Sequence, residues 1–87
     1  MNKTPQKNYS GRFKRQVGLS PREYITHHRI GAAKLLLMDK RLKILSLGDI
    51  GYAVGYERLH SFSMTFKNKT AKWPGEWREG YLMDGEN

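Results

Sequence analysis

The side chains of this chain that could act chemically are overwhelmingly cations. Sixteen Lys and Arg stand against eight Asp and Glu, a formal charge of +8, which favours a polyanionic partner such as nucleic acid or an anionic membrane surface. They are unevenly spread: Met1 to Lys43 carries eleven basic residues against Glu23 and Asp39, while Ile44 to Asn87 carries five against six acidic ones. Covalent chemistry has no comparable foothold. With no cysteine there is no thiol nucleophile, disulfide or thiolate-held zinc. His27 and His28 are neighbours, so on a helix they point about 100° apart and cannot share a metal by themselves. Glu23 lies one helical turn from His27, and two ligands do not make a site. No set of nucleophile, base and orienting group is visible, nor a glycine loop shaped for phosphate. The sequence therefore predicts no enzyme, no cofactor and no metal.

Eighty-seven residues make one domain, and a chain this short buries only about 60% of the surface its unfolded form exposes. Its hydrophobic residues, 38% of the whole, must go into one compact core rather than the walls of a deep substrate cavity. No apolar run approaches the roughly 18 to 20 residues of a membrane span. The opening MNKTPQKNYSGRFK also lacks the apolar stretch of a signal peptide. A soluble cytoplasmic protein with no membrane partner is expected.

An internal repeat reveals the elements that must position the cations. A shift of 53 residues lays YSGRFKRQVGLSPREY, Tyr9 to Tyr24, over FSMTFKNKTAKWPGEW, Phe62 to Trp77. Ser10 then meets Ser63, Phe13 meets Phe66, Lys14 meets Lys67, Pro21 meets Pro74 and Glu23 meets Glu76, with aromatics matched at both ends. Within each copy Tyr9, Phe13 and Val17, or Phe62, Phe66 and Thr70, recur every four residues and line one face of a helix.

After the first copy, Ser20-Pro21-Arg22-Glu23 is a capping-box start for a helix running to about Asp39 or Arg41. It is apolar on two sides, Ile25, Ala32, Leu35 and Leu36 on one and Ile30, Ala33 and Leu37 on the other, and so is expected to pack between two neighbours. Gly31 costs that helix roughly 1 kcal/mol relative to alanine, which a close-passing backbone would explain. Ser46-Leu47-Gly48-Asp49 is a second capping box, opening a short helix with Leu47, Ile50 and Val54 inward. Gly55 can take the left-handed turn that ends it, with Tyr56 plugging the corner, and a helix from about Glu57 to Lys69 follows. Tyr24, Phe13, Phe62, Phe66, Trp73 and Trp77 are expected in the core, the tryptophans half exposed. No run outweighs the helical reading to suggest a strand, so the fold class is all-α, with a disordered tail at 83–87.

Two helices joined by a tight glycine turn match a helix-turn-helix, whose second helix enters the DNA major groove. The stretch LSLGDIGYAVGYERLHSFSMTFKNKTAKWPGEW, Leu45 to Trp77, resembles the second helix-turn-helix of the AraC/XylS family of bacterial transcription regulators, through Ile50, Val54, Gly55, Tyr56, Phe62, Phe66, Lys67 and Pro74. SGRFKRQVGLSPREYI resembles the end of that family's first helix-turn-helix and ITHHRIGAAKLLL its linker helix, so the likeness covers roughly residues 8 to 80. It implies a homeodomain-like three-helix unit, the complete helix-turn-helix, over 42–82, a long linker helix over 21–41, and over 1–20 a partial helix-turn-helix keeping only its recognition helix. It also implies double-stranded DNA as partner, in the bacterial cytoplasm at the nucleoid, with recognition helices in major-groove segments about one helical turn apart. RNA polymerase or another regulator, and a second copy in a homodimer, are further partners to expect.

The departures from the family pattern matter as much. The residues before Tyr9 are too few to supply the first unit's supporting helices, and three extra residues lie around Leu42 to Leu47. Gly51 stands where the family favours alanine, Ala71 where it favours glycine, and Trp73 where Ser20 caps the equivalent helix of the first copy.

By the resemblance, Leu59, His60, Ser61 and Met64 face the groove. Leu59 and Met64 can at best touch a thymine methyl, so sequence preference should be weak. Arg58 could meet phosphate or guanine, and Lys14 and Lys67 phosphate. The repeat offset gives Gln6, Lys7, Asn8 and Gly11 the groove role in the first copy, with Arg12 and Arg15 adding charge. The competing reading keeps the scaffold but loses DNA reading. On it the chain is a small protein-interaction module, an anti-regulator or dimerising fragment, that binds through Leu59, Met64, Trp73 and the uncovered flank of the first unit.

Overall fold

The computed structural model describes residues 14–86, with side chains to residue 82. Tyr9 and Phe13, and the first-copy candidates Gln6, Lys7, Asn8, Gly11 and Arg12, lie outside that range. Four helices follow one another: α1 (Pro21–Met38), α2 (Leu47–Ala53), α3 (Leu59–Thr70) and α4 (Pro74–Glu86), with a 3-10 turn at Lys40–Leu42. No strand occurs among the described residues, and the fold is all-α as expected. A short helical stretch at 14–17 precedes α1 and ends at Gly18, whose φ of 86° places it in the left-handed region.

Both capping boxes form. The Glu23 N–H donates to Ser20 Oγ at 3.2 Å and the Ser20 N–H to Glu23 Oε1 at 3.0 Å. In the second box the Asp49 N–H donates to Ser46 Oγ at 2.9 Å and the Ser46 N–H to Asp49 Oδ2 at 3.2 Å. The Ser20 N–H is the main reason the Glu23 carboxyl titrates below its ordinary range. A carboxylate so depressed adds stability above its unfolded-state pKa, and that contribution disappears as the pH falls through the folded-state value.

α1 ends at Met38, earlier than Asp39 or Arg41, because Asp39 turns extended (ψ 111°) and caps the 3-10 turn instead. Its carboxylate accepts from the Arg41 N–H at 2.9 Å and from the guanidinium at 3.0 and 2.7 Å. The extra residues expected around Leu42 to Leu47 lie in this turn and the link that follows it. That link is tied down from the far end of the chain, where the Arg78 guanidinium donates to Leu45 O at 2.8 Å and to Lys43 O at 3.4 Å.

The core is Ile30, Ala33 and Leu37 from α1, Ile50 from α2, and Phe62 and Phe66 from α3. Leu36, Leu45, Leu47, Val54, Tyr56 and Trp77 pack around it. An aromatic row runs through this core, Tyr56 to Phe62 to Phe66 to Trp77 to Tyr81, with centroid spacings of 5.7, 5.8, 5.6 and 5.5 Å. These are separations at which edge and tilted ring pairs attract. Gly51 lets α2 and α3 meet closely: a methyl group there would lie 2.8 Å from Phe62 ring carbons, so the family's alanine does not fit without movement.

Three expectations need correction. Among the described residues α1 is covered mainly on one side: Ile30, Ala33 and Leu37 are buried and Leu36 packs against the core, while Ile25 and Leu35 are 48% and 69% exposed and Ala32 is exposed. Tyr24 is exposed and packs edge-on against His28 at 4.5 Å instead of entering the core. Among the described residues nothing lies within 4 Å of the position a methyl group would take on Gly31, so no backbone among them explains that glycine. In addition, the backbone of α4 stays helical to Glu86, through most of the 83–87 segment expected as a tail.

Ala71, the residue ending α3, sits at φ 68°, a left-handed conformation in which a Cβ crowds the following carbonyl. The strain is accepted because the Ala71 N–H closes the helix on Lys67 O at 2.8 Å. Ala71→Gly should therefore raise stability by about 1 kcal/mol, read as a higher urea midpoint with unchanged slope.

Candidate nucleic-acid interface

The turn that precedes α3 is closed by two backbone hydrogen bonds. The Gly55 N–H donates to Tyr52 O at 3.1 Å and the Tyr56 N–H to Gly51 O at 2.8 Å, the paired bonds of a Schellman stop. Gly55, at φ 112°, occupies a conformation few other residues adopt. The Arg29 guanidinium of α1 lies over the Tyr56 ring at 5.3 Å and fills the space a side chain on Gly55 would need. The turn is thus fixed against α1, and α3 leaves it with Phe62 and Phe66 buried against α1 and α2.

Among the described residues none covers the opposite face of α3. At 100° per residue, Met64 lies opposite the midpoint of Phe62 and Phe66, with His60 about 40° to one side and Ser61 about 60° to the other. His60, Ser61 and Met64 are all exposed, Met64 by 49%. Leu59, also 49% exposed, begins the helix about 140° from Met64, on the flank rather than in the middle of that face. Arg58 is the exposed residue before the helix and makes no side-chain cap.

Lys67 is less available than its position in the repeat suggests. Its ammonium donates to Ala71 O at 3.1 Å and lies over the Trp73 ring at 5.4 Å, so it already closes the end of α3. Lys14 and Arg15 are exposed on the helical stretch before Gly18. Sequence reasoning passed over Asn68, which is exposed one turn beyond Met64 and lines the same shallow groove with Thr65 and Lys67. It also passed over Lys69 and Lys72, both exposed. The signal was present: from Arg58 to Gly75 the chain carries four basic residues and no acidic one. Among the described residues no three His, Asp or Glu side chains converge on a metal position, and no helix is long and apolar enough to cross a membrane.

With this geometry in place, the family comparison is decisive. Residues 3–80 match the family model of a helix-turn-helix domain, of the AraC type. The chain belongs to the AraC-type helix-turn-helix family. An uncharacterised helix-turn-helix transcriptional regulator of Bacillus subtilis, YobQ, is 33% identical over 76 residues, 87% of this chain and 30% of that protein. The transcriptional activator RhaR of Escherichia coli K12 is 33% identical over 66 residues, 76% of this chain and 22% of its own length. The chain thus spans less than a third of the AraC-type relatives it matches. No solved structure matches it significantly.

Proposed function

We propose that this chain binds double-stranded DNA and regulates transcription, with α3 laid in the major groove. The observation that carries the reading is the outward face of α3. Among the described residues it is uncovered and free of carboxylates, it has Arg58, Lys69 and Lys72 around it, and it follows a turn closed on Gly51 and Tyr52. Arg58, Lys67 and, from the first copy, Lys14 supply phosphate contacts, with Arg12 and Arg15 adding charge, while the four α3 residues Leu59, His60, Ser61 and Met64 face the groove, joined from the first copy by Lys7 and Asn8. Phosphate contacts position the protein and base contacts specify the site. With no Arg, Lys, Asn or Gln among the four α3 residues, DNA is held more tightly than its sequence is read. On this reading residues 1–20 form a partial recognition unit, 21–41 the linker and 42–82 the complete helix-turn-helix, acting at the bacterial nucleoid.

A second reading has its own observation. Ile25, Ala32 and Leu35 on α1, with Tyr52 and Ile44, are exposed among the described residues and offer apolar surface to a protein partner: RNA polymerase, another regulator or a second copy. One experiment separates the two. Duplex titration at low salt should give a Kd tighter than about 100 μM, within the range of non-specific DNA binding, and Lys67→Ala should weaken it for all sequences alike. If affinity is weaker than that, Lys67→Ala is silent and Leu59→Asp abolishes contact with a protein partner, the interaction-module reading holds instead.

A further inference from the structure

The α3 side chains proposed to face the groove, Leu59, His60, Ser61 and Met64, share one indifference, and Asn68, exposed beside Met64, shares it because its amide both donates and accepts. In the major groove thymine and cytosine differ in two ways: thymine presents the O4 acceptor and a C5-methyl group, cytosine the N4 donor and no methyl. Met64 and Leu59 have no group that strongly prefers O4 to N4. The Ser61 hydroxyl both donates and accepts, and the His60 imidazole does so through its two nitrogens. None of the four side chains can therefore impose the O4-against-N4 choice, and the methyl group is the difference left to read. Met64 is placed for it, central on the outward face and 49% exposed, with a flexible thioether that follows apolar shape.

We infer that this protein reads the pyrimidine C5-methyl group itself, so that 5-methylcytosine substitutes for thymine at the site Met64 touches and uracil behaves as cytosine does. The inference rests on the DNA-binding reading and adds to it a sensitivity to cytosine C5 methylation. Binding then responds to the methylation state of the DNA as well as to its sequence.

The test uses four duplexes of one mixed 24-base-pair sequence: unmodified, every thymine replaced by uracil, every cytosine replaced by 5-methylcytosine, and both replacements together. Binding of the full chain is followed by fluorescence anisotropy at low salt. A buried methyl group contributes about a four-fold change in affinity. Every pyrimidine of the 5-methylcytosine duplex carries the methyl group and none of the uracil duplex does, so the first should bind about four-fold tighter than the second, with the unmodified duplex between them. The doubly replaced duplex should return close to the unmodified value. Met64→Ser together with Leu59→Ser should bring the four affinities together while leaving their salt dependence in place. Equal affinity of the wild-type chain for all four duplexes overturns the inference and leaves DNA binding standing. So does a methyl effect that survives in the double variant, because the methyl then acts through DNA shape. Failure to bind any duplex overturns the DNA-binding reading itself.

Discussion

Phe62→Ala should leave the protein close to unfolded at 25 °C. Phe62 is fully buried and joins every part of the helix-turn-helix, packing on Tyr56 at the turn, on Phe66 along α3 and against Gly51 of α2. Truncating a buried phenylalanine costs about 3 to 5 kcal/mol. Proteins have only about 0.05 to 0.15 kcal/mol of stability per residue, so for a domain this small the loss is a large part of the whole. The upper end of that range applies here, because Gly51 has no side chain to move into the space. Urea unfolding followed by far-ultraviolet circular dichroism measures the effect, and a loss below about 1.5 kcal/mol would show that α2 and α3 can close over the gap. Met64→Ala, on the uncovered face of the same helix, should change stability by no more than about 0.5 kcal/mol.

Raising the salt from 50 to 200 mM should weaken duplex binding about a thousand-fold. Five or six phosphate contacts give a slope of log affinity against log salt near −5, and the cations around α3 and at Lys14 and Arg15 are enough to provide them. Lys67→Ala should flatten the slope by about one unit. It also removes the amine that holds Ala71 O and covers Trp73, so its helicity must be checked alongside. His60→Ala should instead change which sequences are preferred, by about 1 to 3 kcal/mol for a pair that reads a base. A slope shallower than about −2 would mean that α3 does not lie along the phosphates.

The parts of this fold legible in the sequence were those decided within a few residues. Ser20 with Glu23 and Ser46 with Asp49 specify their helix starts because each box closes over three residues. Gly55 ends α2 because a left-handed turn favours glycine. What depends on distant neighbours was harder to read. Periodicity shows that α1 has two apolar sides, yet it cannot say which is covered, since that depends on where α2, α3 and α4 come to rest. The same limit put Tyr24 in the core and gave Gly31 a neighbour that none of the described residues provides. The family pattern likewise groups Leu59 with Met64, whereas helical rotation sets them far apart around α3 and leaves Asn68 nearer to Met64. The close approach at Gly51 appears only once both helices are in place.

The Arg78 guanidinium, bonded to the carbonyls of Leu45 and Lys43, turns the stretch from the link before α2 to the middle of α4 into a closed ring without a covalent bond. Contiguous supersecondary units commonly open as one cooperative unit, and this tie favours such a unit here. In hydrogen exchange, the amides of α2, α3 and the first half of α4 should therefore be exposed in a single event of one free energy. The first turns of α1, outside the ring and uncovered on one side, should exchange earlier and on their own.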